Sequence, residues 1–270
     1  MIDLIDTHCH IQEIGITDGD EHIAKMWSDG GISDIQKVID DAKKSNVNKL
    51  IIVGCDYPSS ARAVELAEKY DNCFASVGIH PYEAKTLTLD PQKLEDLKKL
   101  TDSKKVIAIG ECGLDYHHGG EDVEKQKKIF EMQLELAKSK NLPVIFHVRD
   151  GFDDFWPIYE KYTPMGVLHS YTDSLGNLDK ALRNNLLIGI NGISTFTSDQ
   201  ELKQVHRSTP LTNIVLETDS PYLAPWPIRG KVNTPAQVHS VAEFLAKEKD
   251  VSIEDIATST TANAQKLFKI

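Results

Sequence analysis

The sequence has few cysteines and no long apolar run, and both shortages restrict the class of protein. Only four cysteines occur among 270 residues, with no CxxC pair or disulfide-like spacing, so we expect reduced thiols in a cytoplasmic protein. No run approaches the roughly 18 apolar residues that a membrane-spanning helix needs. The first residues also lack a basic segment followed by an apolar one, and we therefore expect neither a secretory signal nor a membrane partner.

Positive charge is scarce as well. Lys and Arg total 30 against 41 Asp and Glu, which gives a net charge of −11. Tight non-specific binding to duplex DNA requires a dense set of cationic side chains, so this composition excludes a DNA-coating protein. A nuclease that acts transiently at a strand end is still compatible with it, because bound cations can supply a local positive field.

Gly/Ser/Pro-rich linkers and low-complexity tracts are absent, so we predict one domain over residues 1–270. Eight short apolar runs alternate with longer segments of helical period, and most runs are continuously apolar, as in parallel strands covered by helices. The pattern predicts an α/β fold, a (β/α)8 TIM barrel, rather than an open doubly wound sheet. The predicted strands are Leu4–His8, Lys49–Gly54, Cys73–Ile79, Val106–Gly110, Pro143–His147, Gly166–His169, Leu187–Asn191 and Asn213–Glu217. The predicted helices are Ser33–Ser45, Ser59–Tyr70, Pro91–Thr101, Val123–Lys140, Asp154–Tyr162, Asn177–Asn184, Ser198–Ser208, Thr234–Lys249 and Ser252–Phe268.

The segment Gln12–Gly31 does not fit this alternation. It is long, rich in Gly and Asp, and follows the first predicted strand, so we expect irregular structure on the catalytic face of a barrel. A lid or rim and a tolerated surface insertion are both compatible with it.

Six imidazole or carboxylate side chains stand at the ends of five of the apolar runs. In a parallel barrel the carboxyl ends of the strands lie on one face, so the pattern predicts a site for divalent metal and a water. The six are His8, His10, Glu111, His147, His169 and Asp219.

His8 and His10 lie two residues apart, and in a strand they point to the same side. Both can therefore grip one ion, with Asp6 available to orient them, whereas a single histidine would more often be structural. Glu111 stands between glycines and can bridge two cations through its two oxygens. The alternative for Glu111 is a buried ion pair, for which Arg149 is the available partner.

His147 and His169 end two successive predicted strands. Imidazole ligands suit zinc, manganese or iron, whereas carboxylate ligands favour manganese or magnesium. The sequence therefore does not identify the metal. Asp219 can bind metal and also accept a proton from the attacking water as a general base. Ser220 would be an alternative nucleophile, but no free histidine is evident to activate it.

Further polar residues are candidates for holding substrate. His80 and Arg149 would bind a phosphate oxygen, although loop hydrogen bonds or a structural ion pair would also explain them. Arg229, with Lys231 and Asn233, lies in a basic loop after the eighth strand, where phosphate sites are common in barrels, although Asn233 could equally cap the next helix. We assign the remaining histidines to the surface or to loops: His22, His117, His118, His206 and His239.

Taken in chain order, these motifs resemble the TatD family of metal-dependent deoxyribonucleases, within the amidohydrolase-like barrels. The resemblance covers the whole chain and is specific as a set, since Asp-x-His-x-His alone occurs in many barrel hydrolases. The matching segments are Ile5–His10, Gly78–Pro81, Gly110–Tyr116, Pro143–Asp150, Glu217–Pro225, Arg229–Pro235 and Asn263.

The resemblance implies a hydrolytic nuclease, often a 3′–5′ exonuclease on DNA, with two divalent metal ions per subunit. By the family match His8, His10, Glu111 and Asp219 hold one ion, and Glu111, His147 and His169 hold the other. We also expect a monomer. The chain departs from the family pattern at the long Gln12–Gly31 segment, at Asp173, where a flexible Gly is usual, and at Asn191, where Ser is usual.

Two other functions fit part of the pattern. A related amidohydrolase chemistry on a small amide, lactone or phosphoester uses similar histidines and an aspartate, but such enzymes often use a carboxylated lysine where this chain has Glu111. A barrel that has lost catalysis and serves as a binding partner is the third alternative, and the intact ligand set argues against it.

Overall fold

Eight strands alternate with helices along the chain. The computed structural model describes residues 2–17, 21–85, 91–117 and 122–270, with the backbone alone for Glu21 and for residues 91–94. The strands form one sheet in chain order, β1 to β8, which confirms the predicted (β/α)8 barrel class. The strands are β1 Leu4–Cys9, β2 Val47–Val53, β3 Cys73–Val77, β4 Val106–Asp115, β5 Val144–Arg149, β6 Gly166–Leu168, β7 Leu187–Ile190 and β8 Ile214–Leu216.

Ten α-helices occur among the described residues, and the bounds of all except α1 follow the predicted ones closely. Asp56 caps α3 and Ser252 caps α10, each accepting a hydrogen bond from the backbone N–H three residues on. The helices are α1 Glu21–Asp29, α2 Ile35–Lys44, α3 Tyr57–Lys69, α4 Pro91–Leu100, α5 Val123–Lys140, α6 Phe152–Tyr162, α7 Leu175–Arg183, α8 Gln200–Ser208, α9 Val238–Lys249 and α10 Ile253–Phe268.

The prediction of irregular structure over Gln12–Gly31 is wrong for part of that segment, Glu21–Asp29. Helix α1 occupies its second half, because Ile23 and Trp27 lie one turn apart and are both buried. The indole Nε1 of Trp27 donates to the carbonyl of His10 at 3.1 Å, so this helix supports the end of β1. Residues 18–20 of the segment lie outside the described residues.

The chain divides into two compact units, Met1–Ile52 with Ser170–Ile270, and Val53–His169. In the first unit β1 pairs in parallel with β2, and β7 with β8. In the second, β3 to β6 pair consecutively, and the fully buried rings of Phe130, Phe146 and Phe155 pack with centroids 5.2–6.1 Å apart. The single domain over residues 1–270 stays a prediction. In the described part of the chain, none of the helices has the length and apolarity to cross a membrane.

Candidate metal centre

The first unit brings three predicted ligands together at the end of β1. The Nε2 atoms of His8 and His10 are 3.3 Å apart, as expected for side chains two residues apart on one side of the strand. Asp219 Oδ1 lies 3.3 Å from His10 Nε2 and 3.7 Å from His8 Nε2. The three donor atoms form a compact cluster in which both histidines are buried and Asp219 is partly exposed.

The segment after β8 is fixed to β1, and this places Asp219. Asp219 has a left-handed backbone (φ 57°), its N–H donates to the carbonyl of His8 at 2.8 Å, and Cys9 and Ser220 form a parallel bridge. The carboxylate of Asp6 accepts hydrogen bonds from the backbone N–H and the hydroxyl of Thr218, at 2.9 and 2.6 Å. Burial raises the pKa of Asp6 to about 8, against the effect of these bonds. Asp6 therefore helps to position Asp219 by fixing the backbone of the preceding residue, Thr218.

The second unit holds another cluster, centred on Glu111. Its Oε1 atom lies 2.7 Å from His147 Nδ1, 3.7 Å from His80 Nε2 and 3.7 Å from His169 Nε2. The donor atoms of His80, Glu111 and His147 all lie within 4.8 Å of one another. His80, predicted to bind substrate, is therefore also placed where it can bind a metal ion. In addition, the Sγ of Cys55 is 3.9 Å from Glu111 Oε2.

His147 has a carboxylate at each ring nitrogen. Its Nδ1 faces Glu111, and its Nε2 lies 3.0 Å from Asp115 Oδ2. Burial opposes protonation of the ring, but the two carboxylates prevail and raise the pKa of His147 to about 9. Burial likewise opposes ionisation of Asp115, yet contact with His147 holds the pKa of this carboxyl well below its usual range. A cation bound by His147 would displace its proton, since only the unprotonated nitrogen is a ligand.

A glycine lets β4 pass close to β5 beside this cluster. Gly113 has φ +150°, and a Cβ there would collide with the carbonyl oxygen of His147. The pairing of β4 with β5 is irregular between Ile109 and Cys112, the stretch that contains Glu111. The glycine-rich sequence around Glu111 thus permits the local backbone on which the carboxylate is carried.

The donor set of His8, His10 and Asp219 has the spacing of a divalent-cation site. Ligand atoms about 2.1 Å from a tetrahedral ion lie about 3.4 Å from one another. The separations of 3.3–3.7 Å among His8, His10 and Asp219 match that spacing. Buried imidazole mixed with carboxylate suits zinc or manganese and is compatible with magnesium.

The structure places the two predicted substrate arginines at the surface. Arg149 is exposed, and its guanidinium has no hydrogen bond or ion pair with any described residue, so the alternative pairing with Glu111 is not formed there. The Cζ of the exposed Arg229 lies 4.3 Å above the ring centroid of Phe196. The expectation that Asn233 binds phosphate or caps a helix is wrong, because its side-chain amide is buried and donates to the carbonyls of Thr218 and Tyr222.

The two unusual positions have local roles in the first unit. Asn191 Nδ2 donates to Ser170 Oγ at 2.8 Å and to Glu217 Oε1 at 3.3 Å. Asp173 Oδ1 accepts from the N–H of Ser174 and the amide of Asn177, both at 2.6 Å, in the loop that leads into α7. Asp173 therefore has hydrogen bonds where a flexible Gly is usual, and Asn191 links Ser170 to Glu217.

Sequence patterns did not assign roles to three buried or half-buried groups beside the two clusters, Asp115 in the second unit and Thr218 and Glu217 in the first. Glu217 Oε1 accepts from the N–H of Ser170 at 2.7 Å and fixes the residue after His169. Asp115 belongs to the GECGLDY segment, and its position four residues after Glu111 could have indicated that it lies beside the predicted ligands. Thr218 and Glu217 immediately precede Asp219 but contact residues far away in sequence.

The surface assignment of His206 is wrong. It lies on the inner side of α8 beside Leu202 and Val205 and is buried. His22 is exposed and stacks on Tyr222 with ring centroids 5.9 Å apart, and His117 pairs with Asp150 at 3.0 Å. His118 lies outside the described residues.

A barrel with imidazole and carboxylate clusters after its strands is typical of metal-dependent hydrolases. A family model described as TatD related DNase matches residues 5–269. The chain therefore belongs to the TatD family and is a metal-dependent hydrolase.

Relatives and solved structures agree with this family. The chain is 36% identical to an uncharacterized metal-dependent hydrolase, YabD, of Bacillus subtilis, over 99% of each chain. It is 34% identical to the deoxyribonuclease Tat-D of Schizosaccharomyces pombe, over 87% of each. The crystal structure of the Escherichia coli TatD homologue YJJV superposes with a TM-score of 0.86 at 28% identity, covering 99% of this chain and 98% of that one.

Proposed function

We propose that this protein hydrolyses phosphodiester bonds of DNA, as a 3′–5′ exonuclease on single-stranded or frayed ends. The observation that carries the proposal is the pair of imidazole–carboxylate clusters, in a chain that resembles a named deoxyribonuclease. We further propose that the enzyme is a cytoplasmic monomer that binds DNA transiently.

We propose two divalent ions per subunit, of magnesium, manganese or zinc. His8, His10 and Asp219 would hold one ion, and Glu111, His147 and His169 the other, with His80 as a further donor beside Glu111. When bound, such ions lower the pKa of water and neutralise charge on a phosphate. That Glu111 bridges both ions stays a prediction.

The residues of the chain would divide the remaining work. Asp219 would accept a proton from the attacking water, because its carboxylate is 16% exposed while the histidines beside it are buried. Glu111 would orient His147 and serve as ligand, acting on catalysis through the metal site. Arg149 and Arg229, exposed and without a carboxylate partner among the described residues, would hold phosphate oxygens.

The proposal is tested with single-stranded DNA labelled at the 5′ or the 3′ end, in Mn²⁺ or Mg²⁺. We expect the 3′ label to appear first as mononucleotide and the 5′ label as a descending ladder. Glu111→Gln should lower the rate at least about 100-fold, because it removes a charged donor and the partner of His147. His239→Gln, a histidine on α9 outside both clusters, is the matched control and should cleave normally.

Two outcomes would contradict the proposal. One is cleavage by a well-folded Glu111→Gln protein at the wild-type rate. The other is an intact DNA substrate together with rapid turnover of a lactone or phosphotriester, which would favour the small-substrate chemistry. Cleavage of an internally labelled circular DNA, which has no ends, would support a nuclease but contradict the exonuclease mode.

A further inference from the structure

Trp226 is far more exposed to solvent than the other two tryptophans of the chain. Its side chain is 67% exposed, whereas Trp27 is 0% and Trp156 5% exposed. The indole makes no hydrogen bond or ring contact with any residue that the structure describes. An isolated, solvent-facing indole is an apolar surface that a flat ligand can cover.

The loop that carries Trp226 begins at Asp219 and is held at several points. The N–H of Trp226 donates to Thr195 Oγ1 at 2.8 Å. The amide of Asn233 donates to the carbonyls of Thr218 and Tyr222 at 3.0 and 2.7 Å. Because seven residues of chain span at most about 24 Å, the indole lies within a few nucleotides of Asp219.

A cationic group lies in the same loop, close to a second aromatic ring. Arg229 covers the face of Phe196, and its guanidinium forms no ion pair within the described part of the chain. A guanidinium held by its face keeps its N–H edges available for a phosphate. Lys231 follows it and is exposed. In a protein of net charge −11, this loop therefore combines local positive charge with an open indole.

We propose that Trp226 is a stacking platform for a base of single-stranded DNA, with Arg229 on a neighbouring phosphate. The proposal rests on the proposed function and adds a binding residue that neither the clusters nor the phosphate contacts require. A nucleobase is the occupant because the site pairs an unfilled aromatic face with an unpaired guanidinium, the combination that binds single-stranded nucleic acid. Every base can stack on an indole, so the platform would increase affinity for DNA without sequence preference.

The exposed indole is also the reporter that tests the proposal. Intrinsic fluorescence is titrated with a short oligothymidylate in EDTA, where hydrolysis is prevented. We expect saturable quenching in the wild-type protein and none in Trp226→Phe, whose two remaining tryptophans are buried. An oligonucleotide with the same phosphates but abasic sugars should not quench. Equal quenching by the abasic strand would overturn base stacking, and so would its persistence in Trp226→Phe.

A kinetic comparison separates this proposal from the proposed function. With labelled DNA and Mn²⁺, Trp226→Ala should raise KM by about tenfold with a much smaller change in kcat, and Trp226→Phe should restore most of the loss. Met165→Ala removes another exposed apolar side chain, at the amino end of β6, and should match the wild type. Identical KM values for Trp226→Ala and wild type would contradict the platform while leaving the nuclease intact. Wild-type protein that binds and quenches but never cleaves would contradict the nuclease alone.

Discussion

The imidazole of His147 lies between Glu111 and Asp115, which contact its two nitrogens at 2.7 and 3.0 Å. Whichever nitrogen faces a cation, the carboxylate at the other nitrogen fixes the orientation of the ring and increases its basicity. His8 and His10 are positioned differently, by the alternation of β1 and by the hydrogen bond from Trp27 to the His10 carbonyl. The two clusters thus use different means to orient their histidines.

Asp115 should therefore contribute to metal affinity. We expect Asp115→Asn to weaken divalent-ion binding by about 10–100-fold, since it removes the charge at His147 Nε2 but keeps the size of the side chain. Calorimetric titration of metal-free protein with Mn²⁺ measures this effect. Asp102→Asn removes a surface carboxylate paired with Lys140 and is the control. An unchanged Mn²⁺ affinity in Asp115→Asn would show that Asp115 has no part in the centre.

At the scale of elements, periodicity was a good guide where strands and helices are long and regular. The LIIV run of β2 is fully buried, and the bounds of α5 match the prediction. Helix α1 was missed because, among its described side chains, just Ile23 and Trp27 are buried, within a polar, Gly- and Asp-rich segment. Strand β4 continues to Asp115, beyond its predicted end at Gly110. The prediction ended too early because Gly110 and Gly113 weaken the sequence pattern of a strand, although both glycines permit close packing against β5.

The candidate ligands could be predicted because each stands next to an apolar run. The contacts that position these ligands could not be predicted, even for Asp6, since they join residues far apart in sequence. Asp6 meets Thr218 across 212 positions, and His147 meets Asp115 across 32. Only tertiary structure reveals such pairs, and the same reason explains why the role of Asn233 was predicted wrongly.

Helix α8 buries His206, which makes stability sensitive to acid. Burial, aided by the positive charge of Lys249, lowers the pKa of His206 to about 4, against about 6.5 in the unfolded chain. The unfolded state therefore binds a proton first, and stability is lost as pH falls from about 6.5 towards 4. Between pH 7 and 5 the loss from this group is about 2 kcal/mol.

Urea unfolding at both pH values measures this contribution. His206→Gln lacks the titrating ring, so its stability should fall by about 2 kcal/mol less than that of the wild type over the same interval. The carboxylates that also titrate there are common to both proteins and cancel in the difference. Parallel losses in the two proteins would mean that His206 is protonated as easily in the folded state as in the unfolded chain.

At the scale of the whole molecule, the family pattern and the acidic net charge together limit how the protein can bind DNA. The family match extends over residues 5–269, so both units carry parts of the same family pattern. The net charge of −11 disfavours general adhesion to DNA, and the proposed grip on a strand end relies on Arg149, Arg229 and bound cations. Weak, salt-sensitive binding to duplex DNA is the expected consequence.

The central claim is that the imidazole–carboxylate clusters bind divalent metal and that DNA hydrolysis depends on it. The direct measurement is the rate of release of 3′-labelled nucleotide by chelator-stripped protein as Mn²⁺ is added back, with bound metal counted in parallel. We expect no release without metal, and full activity as binding approaches two ions per subunit. Undiminished hydrolysis by protein shown to be free of metal would contradict the claim.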